Sequence, residues 1–380
     1  MNTEVSNMQF IDLDKQYRLI QEDLNQRFNA ILESKQFIMG PEVTEMEERL
    51  AAFCGRKYCL SCASGTDALV IPLMAYELKK EDAVFVPSFT FFASAESVVL
   101  AGGTPVFVDV DESYNIDTDS LVSAIERVIA EGKLNPKGII PVDLFGRSAN
   151  YRKVLPIAEK YGLFVLEDAA QGFGGSLDGK RNGAFGQVSA TSFFPAKPLG
   201  CYGDGGAIFT DDAELLELMK SIRVHGHGSD KYDNVRIGLN GRMDTLQAAV
   251  ILAKLPLFEH ELELRQEVAD CYSQQLKGYF ELPVSEAGFF SSWAQYTIRA
   301  KDEAHRTRIM ESLKEKGIPL MIYYPIPLHM QTAFQYLGYS PEDLPFCAEV
   351  SKQVFSVPMY PYLEKKDIIR ICDCLKQAAE

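Results

Sequence analysis

The chain is predicted to be an α/β protein: a large domain over residues 10–250 built on a mostly parallel sheet, then a smaller C-terminal α/β domain over residues 251–380. Three observations carry this. Short β-rich runs alternate with helical patterns up to about residue 225, the pattern of a parallel sheet covered on both faces. A long helical stretch over 243–277 then leads away from that alternation. The length, 380 residues, exceeds one ordinary domain, and 47% apolar residues suffice for a sizeable core.

The elements follow in order. Strands are expected over 83–87, 105–109, 138–142, 164–167, 188–193 and 207–210. Between them, helical spacing of apolar residues predicts helices over 66–78, 93–101, 119–130, 151–161 and 213–222. Past the long helix, 293–300 and 319–323 read as strands and 366–378 as a closing helix. No internal repeat or low-complexity segment interrupts the chain. In open parallel sheets a ligand binds beyond the carboxyl ends of the strands. Asp109, Asp143 and Asp168 fall at or just past such ends.

Composition excludes several classes. The net charge of −15 argues against a nucleic-acid partner, which would favour a basic face, yet leaves room for an anionic nucleotide in a local basic pocket. No run of about 20 apolar residues exists, so no membrane span is expected. Residues 1–15 are polar and mixed in charge, unlike a secretory signal, so a cytoplasmic location is expected. The eight cysteines are scattered, and Cys59-x-x-Cys62 has no second pair at zinc-ligand spacing. Buried reduced thiols are expected, and no metal site.

The chemistry gathers around Lys197. It lies in Thr191-Ser192-Phe193-Phe194-Pro195-Ala196-Lys197-Pro198-Leu199-Gly200-Cys201-Tyr202-Gly203-Asp204-Gly205-Gly206. Upstream, the apolar run Phe164-Val165-Leu166 ends in Glu167-Asp168-Ala169-Ala170-Gln171. A lysine on a glycine-rich loop, with a carboxylate ending a nearby strand, is what pyridoxal phosphate (PLP) chemistry requires. The lysine forms a Schiff base with the cofactor aldehyde. The carboxylate keeps the pyridine nitrogen protonated, so that the ring accepts electrons. A surface lysine is the competing reading, but apolar and tightly turning flanks are unlike a solvated helix face, and burial would supply the free amine. For Asp168 the competing reading is a helix N-cap. Gln171, one turn on, could reach the ring hydroxyl or the phosphate side.

Other segments are individually weak. Ser64-Gly65-Thr66-Asp67-Ala68-Leu69 opens an apolar helix with a small-residue turn, where backbone N–H groups and the helix dipole favour a phosphate. Ser192 could add a hydrogen bond. In Pro87-Ser88-Phe89-Thr90-Phe91-Phe92, Phe91 is the candidate to stack on a ring and Phe89 reads as core. The loop over 224–232 is rich in glycine, histidine and polar residues, and Arg242 beyond it could pair with a carboxylate or simply cap a helix.

Taken together these residues resemble the DegT/StrS family of PLP-dependent sugar aminotransferases. The similarity runs from about Ile11 to Lys376 and includes Gly40-Pro41-Glu42-Val43 and Tyr324-Pro325-Ile326-Pro327-Leu328-His329. The resemblance implies an aspartate-aminotransferase-like fold (fold type I). It implies Lys197 as Schiff-base lysine and proton shuttle, Asp168 on the pyridinium and Gln171 near the ring oxygen. Gly65, Thr66 and Ser192 would bind phosphate and Phe91 would stack on the ring. Asn240 would reach the phosphate from the other subunit of a homodimer with shared active sites. Arg242, Tyr323, Tyr324 and His329 would face the substrate. L-Glutamate would be the amino donor and a nucleotide-linked keto sugar the acceptor, for surface polysaccharide such as lipopolysaccharide.

The Lys197 loop, 236–247 and Ala294-Gln295-Tyr296 look most like enzymes that aminate C3 of UDP-2-acetamido-2-deoxy-3-oxo-glucuronate. Where those often carry His-Tyr-Pro, this chain has Tyr323-Tyr324-Pro325, which keeps a 4-keto-6-deoxy sugar nucleotide in contention. Asp143 stands where relatives often have His or Ser. Related dehydratases carry histidine in place of the lysine, so Lys197 disfavours them. A non-catalytic PLP or nucleotide-sugar binding regulator would need neither Lys197 nor Asp168 together.

Overall fold

The computed structural model describes residues 8–230 and 232–379; part of the polar segment 1–15, and Lys231 of the loop after 224, lie outside them. Numbered in chain order, the strands are β1 (Tyr58–Cys62), β2 (Asp82–Pro87), β3 (Thr104–Val108), β4 (Asn135–Ile139), β5 (Phe164–Asp168), β6 (Ser176–Leu177), β7 (Lys180–Arg181), β8 (Val188–Ser192), β9 (Gly206–Thr210), β10 (Phe289–Phe290), β11 (Tyr296–Arg299) and β12 (Val354–Val357). The α-helices are α1 (Asp14–Ser34), α2 (Pro41–Cys54), α3 (Gly65–Ala75), α4 (Ala93–Leu100), α5 (Thr118–Glu131), α6 (Tyr151–Tyr161), α7 (Ala213–Arg223), α8 (Thr245–Leu276), α9 (Glu303–Glu315), α10 (Pro345–Gln353) and α11 (Lys365–Ala379).

Seven strands form the central sheet in the order β1-β9-β8-β5-β4-β2-β3. The pairs from β8 through β3 are parallel. β9 alone runs against both of its neighbours. The protein is thus α/β with a mainly parallel sheet. Strand alternation sends side chains to two faces. Val84, Val86 and Leu166 meet Leu69 and Leu73 of α3 and Leu216 and Met219 of α7 on one face. Phe85, Val106, Ile139 and Val165 meet Leu121 and Ile125 of α5 and Val154 of α6 on the other. Toward the β1–β9 edge, Ala207 and Phe209 pack on α2 and the first half of α8. With both faces covered, strands read as continuous apolar runs.

A separate core joins the second half of α8 (Val268, Tyr272, Leu276) to β11, α9, β12 and α11. β11 and β12 pair antiparallel. We propose a large and a small domain on the strength of these cores. α8 spans the 250/251 boundary and packs into both.

Two expected strands differ. The run at 138–142 loses the regular ladder after Ile139, because Pro141 has no N–H to donate, and rejoins β5 through the single bridge of Val142 to Asp168. The run at 319–323 makes a single bridge, Met321 to Ser356, between Pro319 and Pro325. α1, α2, β1, α9, α10 and β12 are present where no element was expected. Among the described residues no helix is long and apolar enough to cross a membrane, and no group of three or more His, Cys, Asp or Glu residues could hold a metal ion. All eight cysteines are free thiols.

Candidate active site

Three strand ends converge. Cys62 of β1 and Ser192 of β8 both pair with Gly206, the first residue of β9. Asp168, the last residue of β5, pairs with Ala190 of β8. The start of α3, the Lys197 loop and Asp168 are therefore neighbours because the sheet register makes them so.

Asp168 is 4% exposed. Its carboxylate accepts hydrogen bonds from Ser94 Oγ at 2.8 Å and from the Ala170 N–H at 3.1 Å. Ser94 belongs to α4 and its hydroxyl lies 3.1 Å from Thr90 Oγ1. Burial pushes the Asp168 carboxyl above the ordinary carboxylate value, while these two bonds and the charge of Lys197 pull it back. The preceding Glu167 points to the opposite side of the strand. There it accepts from the Gly183 and Phe185 N–H groups and from Ser189 Oγ.

Lys197 is half-buried and sits in a turn closed by its own N–H on the Phe194 carbonyl at 2.8 Å. The base of the loop is closed by Cys201 N–H on the Phe193 carbonyl and by Phe193 N–H on the Gly205 carbonyl. Desolvation holds the Lys197 amine below the usual lysine value, and Asp168 opposes that shift. The mutual influence of Lys197 and Asp168 is the electrostatic signature of one site.

The N-terminus of α3 is capped by Ser64, whose hydroxyl accepts the Asp67 N–H at 3.1 Å. Helix geometry leaves the Gly65 and Thr66 N–H groups without intrahelical partners. A Cβ at Gly65 would fall 2.5 Å from Ser192 Cβ, so only glycine fits this cradle. Phe91 is 55% exposed, whereas Phe89 is fully buried. Phe91 faces the Tyr324 ring at 6.3 Å. Gln171 is committed at both ends: its Oε1 accepts from the Phe145 N–H at 2.8 Å and its Nε2 donates to Tyr324 Oη at 2.9 Å.

The remaining candidates are distributed unevenly. Gly241 accepts from the Ala63 N–H at 2.9 Å, which brings Asn240 and Arg242 beside the α3 entrance. Asn240 is exposed, and the buried Nε of Arg242 has no hydrogen-bond partner. Tyr323 is half-buried between Phe10 and Tyr324. His329 is 1% exposed, with Nδ1 at 2.6 Å from Ser88 Oγ and burial lowering its pKa. It presents no surface to a sugar.

The strand-end aspartates other than Asp168 are engaged elsewhere. Asp109 accepts the Phe346 and Cys347 N–H groups at the start of α10. Asp143 is fully buried on the Ala149 N–H and the Tyr151 hydroxyl, its carboxyl pushed up by burial and by Glu167. Sequence reasoning missed Ser94, Thr90 and the Glu167 shell. A hydroxyl in the first turn of an apolar helix was the available signal for Ser94.

These features fit an anionic pyridine aldehyde. An amine relieved of part of its charge preference, a desolvated acid, a helix N-terminus too tight for any side chain but hydrogen, and an exposed aromatic ring lie together. Fold and site define a lysine-dependent α/β enzyme of the aspartate-aminotransferase-like fold. The chain belongs to the DegT/DnrJ/EryC1/StrS aminotransferase family, whose model matches residues 18–376. It is 45% identical over 370 residues, 97% of this chain and 99% of the relative, to the UDP-2-acetamido-2-deoxy-3-oxo-D-glucuronate aminotransferase of Pseudomonas aeruginosa. A crystal structure of a DegT DnrJ EryC1 StrS aminotransferase from Brucella abortus is 48% identical with a TM-score of 0.94, covering 97% of this chain and 99% of that one. NtdA from Bacillus subtilis with bound cofactor PMP is 31% identical with a TM-score of 0.87, covering 100% of this chain and 86% of that one.

Proposed function

We propose that this enzyme uses pyridoxal phosphate to move an amino group from L-glutamate to C3 of UDP-2-acetamido-2-deoxy-3-oxo-glucuronate, in the cytoplasm, for surface polysaccharide. The observation that carries the chemistry is the convergence of buried Asp168 at the end of β5, the loop of Lys197 after β8 and the N-terminus of α3. The similarity over essentially the whole of the Pseudomonas relative supports the substrate.

When bound, the cofactor supplies an electron sink for negative charge at the carbon that loses its proton. Lys197 Nζ would anchor it and, when free, would take the proton from the donor Cα. Asp168 would hold the ring nitrogen protonated. The Gly65 and Thr66 N–H groups and Ser192 Oγ would receive the phosphate, and Phe91 would cover the ring. Gln171, oriented by Phe145 and Tyr324, would meet the ring oxygen. Arg242, Tyr323 and Tyr324 face the sugar nucleotide. His329 contributes by fixing the turn that follows Tyr324, through Ser88.

A homodimer with shared sites completes the reading, with Asn240 reaching the partner's phosphate. Its support is apolar surface near the site: Phe91, Phe194 and Ile237 are all more than half exposed. Tyr323 favours a second substrate reading, a 4-keto-6-deoxy sugar nucleotide, because a phenol in an aromatic setting offers a sugar carboxylate no cation.

The test is the absorbance of the purified holoenzyme before and after L-glutamate, followed by product analysis with each keto sugar. A visible band that collapses toward the near-ultraviolet, and a 3-amino product, are expected. Lys197→Ala should abolish turnover. Normal steady-state transfer by that variant would sink the assignment.

A further inference from the structure

Beneath the Lys197 loop lies a second lysine that the chemistry above does not use. Lys254, on α8, is 1% exposed. A buried ammonium is costly unless paired and hydrogen-bonded. Its Nζ donates to the Gly200 carbonyl at 2.7 Å and stands 4.4 Å from the centre of the Tyr202 ring. Gly200 is the last residue before the loop closes at Cys201. A Cβ there would meet the Pro195 and Phe194 carbonyl oxygens at 2.6 and 2.7 Å, so the turn is folded tightly on itself. Lys197 and Lys254 line the same small gap, with Asp12, Gln16, Arg265 and Tyr362.

Lys254 belongs to a stripe. Gln247, Lys254 and Glu261 recur every seven residues, which places them along one face of α8. Gln247 Oε1 accepts the Tyr202 N–H at 2.9 Å, so two α8 side chains hold the loop on either side of Cys201. Glu261 accepts from Gln16 of α1 and from the Tyr362 hydroxyl. Arg265 donates to the Trp293 carbonyl at 3.0 Å.

We propose that Lys254 is a positioning residue for amino transfer: its bond to the Gly200 carbonyl sets where the Lys197 amine stands. The meaning of Lys197 here rests on the aminotransferase reading. The tether itself does not.

The groups facing Lys254 are Glu261 and Arg265 from α8, Lys197, Cys201 and Tyr202 from the loop, Gln16 from α1, and Asp12 and Tyr362 from the flanking segments. Burial lowers the Lys254 pKa to about 8, with Glu261 and Cys201 opposing. The Cys201 thiol, raised to about 11, stays neutral there, and Arg265, lowered to about 10, stays charged. The charged form of Lys254 makes the stronger bond. It prevails below about pH 8 and is lost as pH rises through that value.

Lys254→Met and Lys254→Arg test this. Backbone hydrogen exchange over 193–203 in the cofactor-free protein reads the tether without turnover. Lys254→Met should exchange roughly tenfold faster there, as the loss of one buried charged hydrogen bond implies. In the holoenzyme its kcat should fall by about 100-fold, the scale of a catalytic group displaced by an ångström. Lys254→Arg should keep most activity and carry the alkaline limb of the pH profile upward from its wild-type position. Wild-type exchange and wild-type kcat in Lys254→Met would overturn the proposal. Should Lys254→Met fail to fold, an unshifted alkaline limb in Lys254→Arg would overturn it instead. A wild-type holoenzyme without transamination would sink the aminotransferase reading, and the exchange measurement would still decide the tether.

Discussion

Asp168 shows how burial and its neighbours pull one carboxyl in opposite directions. Burial, the largest influence, pushes it above the ordinary carboxylate value, and the Ser94 and Ala170 hydrogen bonds and then the Lys197 charge pull it back. Asp168→Asn preserves shape while removing the charge and turning one accepting oxygen into a donor. Its kcat should drop by about 100- to 1,000-fold, the usual cost of one preorganised electrostatic partner, with the circular dichroism spectrum unchanged. A wild-type rate would refute the role. The sequence marked Asp168 because it ends an apolar run before Ala169-Ala170-Gln171. The Ser94 hydroxyl stands out only as one in the first turn of an apolar helix; its partnership with Asp168, 74 positions away in the chain, is made by the fold. Asp109 and Asp143 looked equivalent to Asp168 at strand ends. Only three-dimensional partners separate them: two backbone N–H groups of α10 for Asp109, and the Tyr151 hydroxyl and Ala149 N–H for Asp143.

At the scale of elements, the parallel strands and their helices were legible because apolar runs bounded by turn residues have few alternatives. β1 was not. Tyr58-Cys59-Leu60-Ser61-Cys62 is short and mixes small polar residues with apolar ones, and its place is fixed by β9 from far along the chain. The 319–323 segment reads apolar yet lies between prolines, and local composition cannot report that it pairs at one bridge only. The α3 entrance is where element geometry bears on function. Gly65→Ala should lower cofactor affinity by about tenfold or more, since the new methyl must push Ser192 away from the exposed N–H groups. Equilibrium titration with the cofactor measures this. Unchanged affinity would mean that the phosphate lies elsewhere.

For the whole molecule, the proposed shared sites make a sharp demand. On the proposed dimer Arg242 crosses with Asn240 into the partner's site, so Lys197→Ala and Arg242→Ala homodimers should each be inactive. Mixed and re-associated in equal amounts, they should recover about a quarter of wild-type sites, because half the dimers are mixed and each mixed dimer has one intact site. No recovery, with exchange of subunits demonstrated, would place Lys197 and Arg242 in the same subunit's site. α8 raises a different matter, the order of synthesis. Gln16 of α1 bonds to Glu261, 245 positions later, and Ile20 and Leu24 of α1 pack in one core with α8 residues such as Ile251 and Leu262. At ~5–20 residues per second on the ribosome, the first helix waits roughly 12 to 50 s for its resting place. Throughout that interval its apolar stripe is open to any other chain. Lys197 is made before α8 exists to hold its loop, and yield in a host cell should respond to chaperone supply more than to the stability of the finished fold.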